Sequence, residues 1–438
     1  MVEKYKLYTG FLFSALWLRM GYGFIYDEFM PFMQPTVPAI LFIVDAIILI
    51  LGIIALKDLR DKIVYFLLVA LIIASKVVNH QSIVETLNGF RLYIGLVSAV
   101  PIIRYLLDSK NAARFVSSFD RQLHIFLYIQ VFCLVWQFLK YGANDHGGGT
   151  LGYGGSGAIS TMIYISSFYL LNKKWDFDGD WKVNLVDNKK YFILLFPTFL
   201  NETKISFIYL ILYFLLLIRR DRMFVLRMVV LVPTMIIAAI GVGILYINAT
   251  KQDADEVFSM DYIEYYLSGG QDVEDVINLA VRIHEEDLFS DELWSIDLPR
   301  FAKLFQTEEA LKSTEGGYLL GAGVGQFRGG SVMGKSRFAT KFNWLLKGSI
   351  PSLFWLLIEL GLLGVLWFAG NLISALMIKN PGSRGTNLRL YICMVWLLIL
   401  FYDMQLSFIP TVFVSMYALL TGLQPSREAM LAYEKERR

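Results

Sequence analysis

The sequence predicts an all-α membrane protein that crosses a bilayer about twelve times, with one large, mostly helical soluble loop ahead of its last three spans. Three observations predict it. Of 438 residues, 56% are hydrophobic and 15% aromatic, and the mean hydropathy is +0.52. That exceeds an ordinary soluble domain, in which about half the residues are apolar. The apolar residues also fall in long runs bounded by charge, as spanning helices require. Finally, lysines and arginines gather in alternate loops, the mark of cytoplasmic loops.

The runs place spans near 7–26, 36–56, 62–79, 91–107, 122–140, 156–171, 190–200, 205–218, 223–247, 351–377, 387–402 and 406–422. Each should be helical, because backbone groups in lipid must bond within their own segment. Met1 to Lys6 followed by an apolar run imitates a signal peptide. No small-residue cleavage motif follows it, so it is read as the first span. The runs 190–200 and 205–218 are short: either two tilted spans or a broken pair meeting at Asn201, Glu202, Thr203 and Lys204.

The basic loops carry Lys57, Arg60 and Lys62; Lys110, Arg114 and Arg121; Lys173, Lys174, Lys189 and Lys190; Arg219 to Arg227; and Lys379, Arg384 and Arg389. With twelve spans all lie on one side, which the positive-inside rule makes cytoplasmic, together with both termini. The chain then divides into an N-terminal bundle of about nine spans (1–247), an extracytoplasmic cap (248–350) and C-terminal spans with a cytoplasmic tail (351–438). The cap begins acidic, from Asp253 to Asp275, and ends basic, with Arg328, Lys335, Arg337, Lys341 and Lys347. Asp297 would open a helix with Phe301, Leu304 and Phe305 on its apolar face.

Several function classes are excluded. A net charge of +2 offers no footprint for nucleic acid. The two cysteines, Cys133 and Cys393, lie in apolar runs, against a disulfide framework or cysteine metal site. Four scattered histidines give no zinc motif, and His284-Glu285-Glu286-Asp287-Leu288 lacks the closing histidine of H-E-x-x-H. No metal or cofactor is expected. The loop 141–157 contains HGGG but no G-x-S-x-G elbow, so a serine hydrolase is not supported. A flexible gate beside a cavity and a passive linker remain equal readings of it, and His146 is a weak candidate base.

Cation placement is the informative signal. Arg19, Lys76, Arg91 and Lys204 all sit at outer span ends, against the positive-inside bias. They either snorkel singly to headgroups or together hold an anion. Arg91 and Lys204 edge polar loops, which favours the anion. Arg300 stands in the first turn of its helix, facing the positive end of the dipole; an anion between them, or a pair with Asp297, would explain it. Gly321, Gly323 and Gly325 in LLGAGVGQF let backbone approach a ligand or a helix closely.

Four stretches resemble the O-antigen polymerase and O-antigen ligase superfamily of bacterial envelope glycosyltransferases. LNETKISFIYLILYF at 200–214 is similar to a threonine–serine–arginine element opening a span, with Lys204 in the arginine's place. LPRFAKLF at 298–305, followed by YLLGAGVGQF at 318–327, looks like an arginine helix and its glycine turn. LFWLLIELGLLGVLWFAG at 353–370 is similar to the span carrying Glu-x-Gly-x-x-Gly, and the glycine loop 147–157 precedes a span as in the family.

The resemblance implies a GT-C-like fold in the bacterial cytoplasmic membrane with the cap outside. It implies a metal-independent transferase acting on a polyprenyl-pyrophosphate-linked oligosaccharide, with a chain-length regulator and a flippase as possible partners. Arg300, Arg91 and Lys204 would hold the pyrophosphate, and Arg328, Arg337, Lys341 and the three glycines would line substrate. Glu202, His284 and Glu315 are the candidate bases. The ligase histidine at the outer start of the span after the loop is missing near Pro351 and Ser352, so polymerase is favoured over ligase. A transporter or flippase of an anionic lipid or solute is the rival from another class, although no inverted repeat is visible.

Overall fold

The computed structural model describes residues 2–33, 37–142, 147–177, 179–201, 205–218, 229, 233, 300–326, 336–346, 350–376 and 383–421. All regular structure among them is helical. Among the described residues, four helical segments are long and apolar enough to cross a membrane: Ile83–Leu107, Ala112–Tyr141, Ser352–Ile373 and Gly385–Tyr402. Shorter apolar helices cover Ala39–Ala55, Ile205–Leu217 and Ile409–Thr421. The run 223–247 lies almost wholly outside the described residues.

Helices α1 (Val2–Phe29), α2 (Val37–Ala55) and α3 (Leu59–Val78) follow the first three predicted runs. Asp58 caps α3, its carboxylate accepting the Arg60 N–H, and Arg104 pairs with Asp61 at the same end. The fourth run starts earlier than its apolar residues suggest. A capping box of Ser82 and Glu85 opens α4 (Ile83–Phe90), a 3-10 turn follows at Arg91–Tyr93, and α5 (Ile94–Leu107) continues. Next come α6 (Ala112–Tyr141) and α7 (Ser156–Asn172).

The run 190–200 is not a spanning helix. It comes after α8 (Trp181–Asp187) and consists of the five-residue α9 (Lys189–Ile193) and a 3-10 turn at Phe196–Phe199. Pro197 cannot donate to an α ladder, the Leu195 N–H turns to the Phe192 carbonyl, and the Tyr191 carbonyl that an α ladder would have given Leu195 accepts the Ser167 hydroxyl at 3.0 Å. Irregular backbone is therefore satisfied by a neighbouring helix, as lipid-embedded chains require. α10 (Ile205–Leu217) follows.

The described part of the cap holds α11 (Arg300–Lys312), α12 (Gly317–Leu320) and α13 (Arg337–Phe342). The helix expected from Asp297 is described from Arg300 onward. α11 buries Lys303, Gln306 and Thr307 together with Ala310 and Leu311, so its buried side carries polar groups that the apolar spacing did not announce. The chain ends in α14 (Ser352–Leu376), α15 (Ser383–Tyr402) and α16 (Ile409–Thr421).

The core lies where α5 packs on α2 and α16, and α7 on α16 and α10. Tyr164, Tyr169, Tyr209, Tyr213, Tyr391 and Tyr417 are fully buried there. Their rings bury large area, and several hydroxyls find partners: Thr161 for Tyr209, Ser167 for Tyr213 and Asp120 for Tyr417.

Candidate active site

The glycine turn of the cap and the break in α14 form one structural unit. Gly361 has φ 63° and ψ −163°, a conformation essentially reserved for glycine, and it interrupts the helix. The interruption leaves the carbonyls of Ile358 and Glu359 without helical partners. The Ala322 N–H donates to the first at 2.7 Å and the Gly323 N–H to the second at 3.1 Å. The buried Glu359 carboxylate accepts the Gly325 N–H and the Tyr93 hydroxyl, each at 2.8 Å. From α3 and the turn after it, Asn79 donates to the Gly321 carbonyl at 3.0 Å and Gln81 to the Ala322 carbonyl at 2.8 Å. Gly321, Gly323 and Gly325 are thus buried against protein. Of the two uses the sequence allowed, close approach to a neighbouring helix is the one seen. Residues 318–326 and 353–370, from two of the stretches quoted for the resemblance, meet here.

The cations are arranged around Asp45. This carboxylate is 1% exposed and stands eight residues into α2, about 12 Å along the axis. An acid in so apolar a helix needs a partner, and it has two. Arg19 of α1 engages it in a fork, Nε to Oδ1 at 2.9 Å and Nη2 to Oδ2 at 3.0 Å. Arg91 donates from Nε and Nη2 to Oδ2, at 3.0 and 2.9 Å. Arginine stays charged in proteins, so among the described residues two cations share one anion, an excess of one positive charge. The Arg19 and Arg91 side chains keep 18% and 20% exposure, so the cluster is reachable.

Arg300 lies apart from this cluster. Its guanidinium covers the Tyr402 ring at 4.2 Å, at the end of α15. The next residue, Asp403, is half-buried. Its Oδ1 accepts the Met404 N–H at 2.7 Å, and its main-chain carbonyl accepts the Ser352 hydroxyl at 2.6 Å. The 3-10 turn that follows, Gln405–Ser407, packs against the Arg91 turn. A narrow cleft between the two turns is lined by Leu92, Tyr93, Ser352, Trp355, Met404 and Ser407. Arg91 and Arg300 therefore border the same end of the bundle without touching.

The glycine loop before α7 is held rather than loose over 147–157. Gln137 pairs with the backbone of Gly149, and Gln130 with Thr150. Asp27 of α1 accepts the Tyr153 N–H at 2.6 Å. This half of the loop is clamped by three side chains, which does not fit a flexible gate.

Of the other predicted residues, Lys76 lies in the last turn of α3, where a cation suits the dipole. Lys341 is half-buried with its Nζ 5.4 Å from the Phe342 ring, and Arg337 opens α13. Glu315 is exposed and faces His80 at 3.4 Å. Glu308 of α11 is held below the usual carboxylate range by hydrogen bonds from Lys312 and Tyr318. Glu202, Lys204, His284 and Arg328 lie outside the described residues, as does His146. Among the described residues no group of three His, Cys, Asp or Glu is placed to hold a metal.

Sequence reasoning did not count Asp45 or Glu359 among the site residues. The available signal was an isolated acid within an apolar run, which demands a partner. No family model matches the chain, and no curated protein matches it significantly.

Proposed function

We propose that the protein is a membrane glycosyltransferase that polymerises polyprenyl-pyrophosphate-linked oligosaccharide repeats into a surface polysaccharide. The supporting observation is the Arg19–Asp45–Arg91 cluster: two guanidiniums on one buried carboxylate, with one positive charge in excess among the described residues. In glycosyl transfer from a lipid diphosphate, the C1–O bond breaks and negative charge grows on the departing phosphate. Fixed cations at that point stabilise the transition state more than the ground state. Arginine suits the task, since its planar fork matches phosphate oxygens. Arg300 would add a second cation on the same end, steadied by Tyr402.

The resemblance of 298–305, 318–327 and 353–370 to the polymerase and ligase superfamily supports the same reading, with the reaction on the extracytoplasmic face of a bacterial membrane, both termini inside, and no metal. A flippase that delivers repeats and a regulator of chain length are the partners this reaction would require. The test is polymer length in cells carrying Arg300→Ala or Arg91→Ala at normal protein level. Short or absent polymer is expected. Long polymer of normal abundance in both variants removes the reading.

A further inference from the structure

We propose that Lys174 and Lys190 together hold the phosphate of an anionic membrane phospholipid, at the end of the bundle opposite the Arg19–Asp45–Arg91 cluster. The inference does not depend on the glycosyl-transfer reading. Both lysines are exposed, and each directly precedes a buried aromatic residue, Trp175 or Tyr191. These aromatics fix the two backbones. Trp175 donates from Nε1 to the Leu217 carbonyl at 3.2 Å, and its ring meets Phe192 edge-on at 6.4 Å. Tyr191 is tied to α7 through its carbonyl and Ser167. Both amines reach one ring: Lys190 Nζ lies 5.1 Å and Lys174 Nζ 5.8 Å from the Tyr191 centroid. Lys173, next in the chain, pairs with Asp120, but neither Lys174 nor Lys190 has an ion pair among the described residues. Partial desolvation, and then the Lys174 charge, hold the Lys190 amine below the usual lysine range. An anion between the two amines removes their repulsion.

The bilayer is the source of that anion. α5 runs from the Arg91 turn to Leu107, and α6 starts at the far end, at Ala112. α6 carries Arg114, Asp120 and Arg121 near its start, then no Asp, Glu, Lys or Arg from 122 to 139. The Tyr191 hydroxyl meets His124 Nε2 at 3.1 Å, in the first turn of that charge-free stretch. The two amines therefore stand where the apolar stretch begins, at the level of phospholipid headgroups. The adjoining backbone exposes Trp181, Val183 and Val186 of α8, Ile193 of α9, and Phe196. Acyl chains cover such side chains, whereas a free phosphate ion leaves them bare. Of the acids on this segment, Asp180 caps α8, and Asp176 and Asp187 do not pair with the two amines.

The experiment uses the full-length protein in neutral detergent, with phosphatidylglycerol or phosphatidylcholine titrated in and bound lipid counted by native mass spectrometry. Wild type should prefer phosphatidylglycerol. Lys174→Gln/Lys190→Gln should lower the affinity for that lipid about 30-fold, roughly fivefold per lysine, and leave phosphatidylcholine unaffected. Lys174→Arg/Lys190→Arg should keep the preference. Lys57→Gln/Lys110→Gln removes equal charge from exposed positions beyond the ends of α2 and α5, and should change the affinity by no more than about twofold. All variants should melt with wild type in neutral detergent. Undiminished affinity in Lys174→Gln/Lys190→Gln overturns the assignment. So does an equal loss in Lys57→Gln/Lys110→Gln, which makes the attraction one of diffuse surface charge. Displacement of phosphatidylglycerol by excess inorganic phosphate overturns it too, since the ligand is then a free ion. None of these measurements reads transferase activity, so the two proposals stand or fall separately.

Discussion

Replacing Asp45 with asparagine should destabilise the bundle, whereas removing either arginine should mainly abolish function. Asp45 is 1% exposed and lies within 3.0 Å of two guanidiniums. At an effective dielectric near 20, each ion pair is worth about 4 kcal/mol gross at 4 Å. Desolvation cancels much of that in the intact cluster. The Asn variant keeps the desolvation, loses the attraction and leaves two like charges facing each other. Breaking a buried pair in this way costs about 3–5 kcal/mol. The roughly one-fifth exposure of the arginines places the expected value at the lower end.

Arg91→Leu behaves differently. It leaves Asp45 forked by Arg19 as a neutral pair, so stability should fall by only about 1–2 kcal/mol. The excess positive charge disappears, and with it the diphosphate grip. The assay is thermal unfolding of purified protein in detergent, alongside polymer length in cells. Asp45→Asn as stable as wild type would refute the reasoning. So would Arg91→Leu or Arg19→Leu unfolding as readily as Asp45→Asn.

Three further outcomes are expected. Glu359→Leu should cost about 1–3 kcal/mol for the Gly325 N–H it strands, and it also removes the Tyr93 hydrogen bond, read as lower thermal stability and protease sensitivity around 318–326. Gly361→Ala should cost at least about 1–3 kcal/mol, because its φ of 63° is strained for alanine and a Cβ would meet the Leu319 carbonyl at 2.5 Å; protein yield and melting temperature test this. Arg300→Lys keeps the charge but loses the planar stack on Tyr402, so polymer should be shorter than wild type yet longer than in Arg300→Ala, as read on gels of extracted polysaccharide.

Helix positions were largely legible, because apolar runs of about 20 residues have few alternatives to a spanning helix. The run 190–200 stayed open between a tilted span and a broken one, because composition alone does not weigh Pro197, nor the Ser167 hydroxyl that bonds the irregular backbone. The start of the fourth segment was missed for a related reason: Ile83–Phe90 is opened by a polar capping box, which an apolar window discounts. In the site, the identities of Arg91 and Arg300 were readable as misplaced cations. Their partners were not. Arg19, Asp45 and Arg91 come from three separate helical segments, and no spacing along the chain encodes that meeting. The glycine turn was recognisable as a close approach, but the surface it approaches became identifiable only with the helix break at Gly361.

The central claim is that the spare positive charge at Asp45 grips a diphosphate, and the affinity of purified protein for a polyprenyl diphosphate measures it directly. Arg19→Leu and Arg91→Leu should each weaken binding about 10- to 100-fold, the worth of one charged hydrogen-bond partner. Unchanged affinity in both variants, with the fold intact, would contradict it.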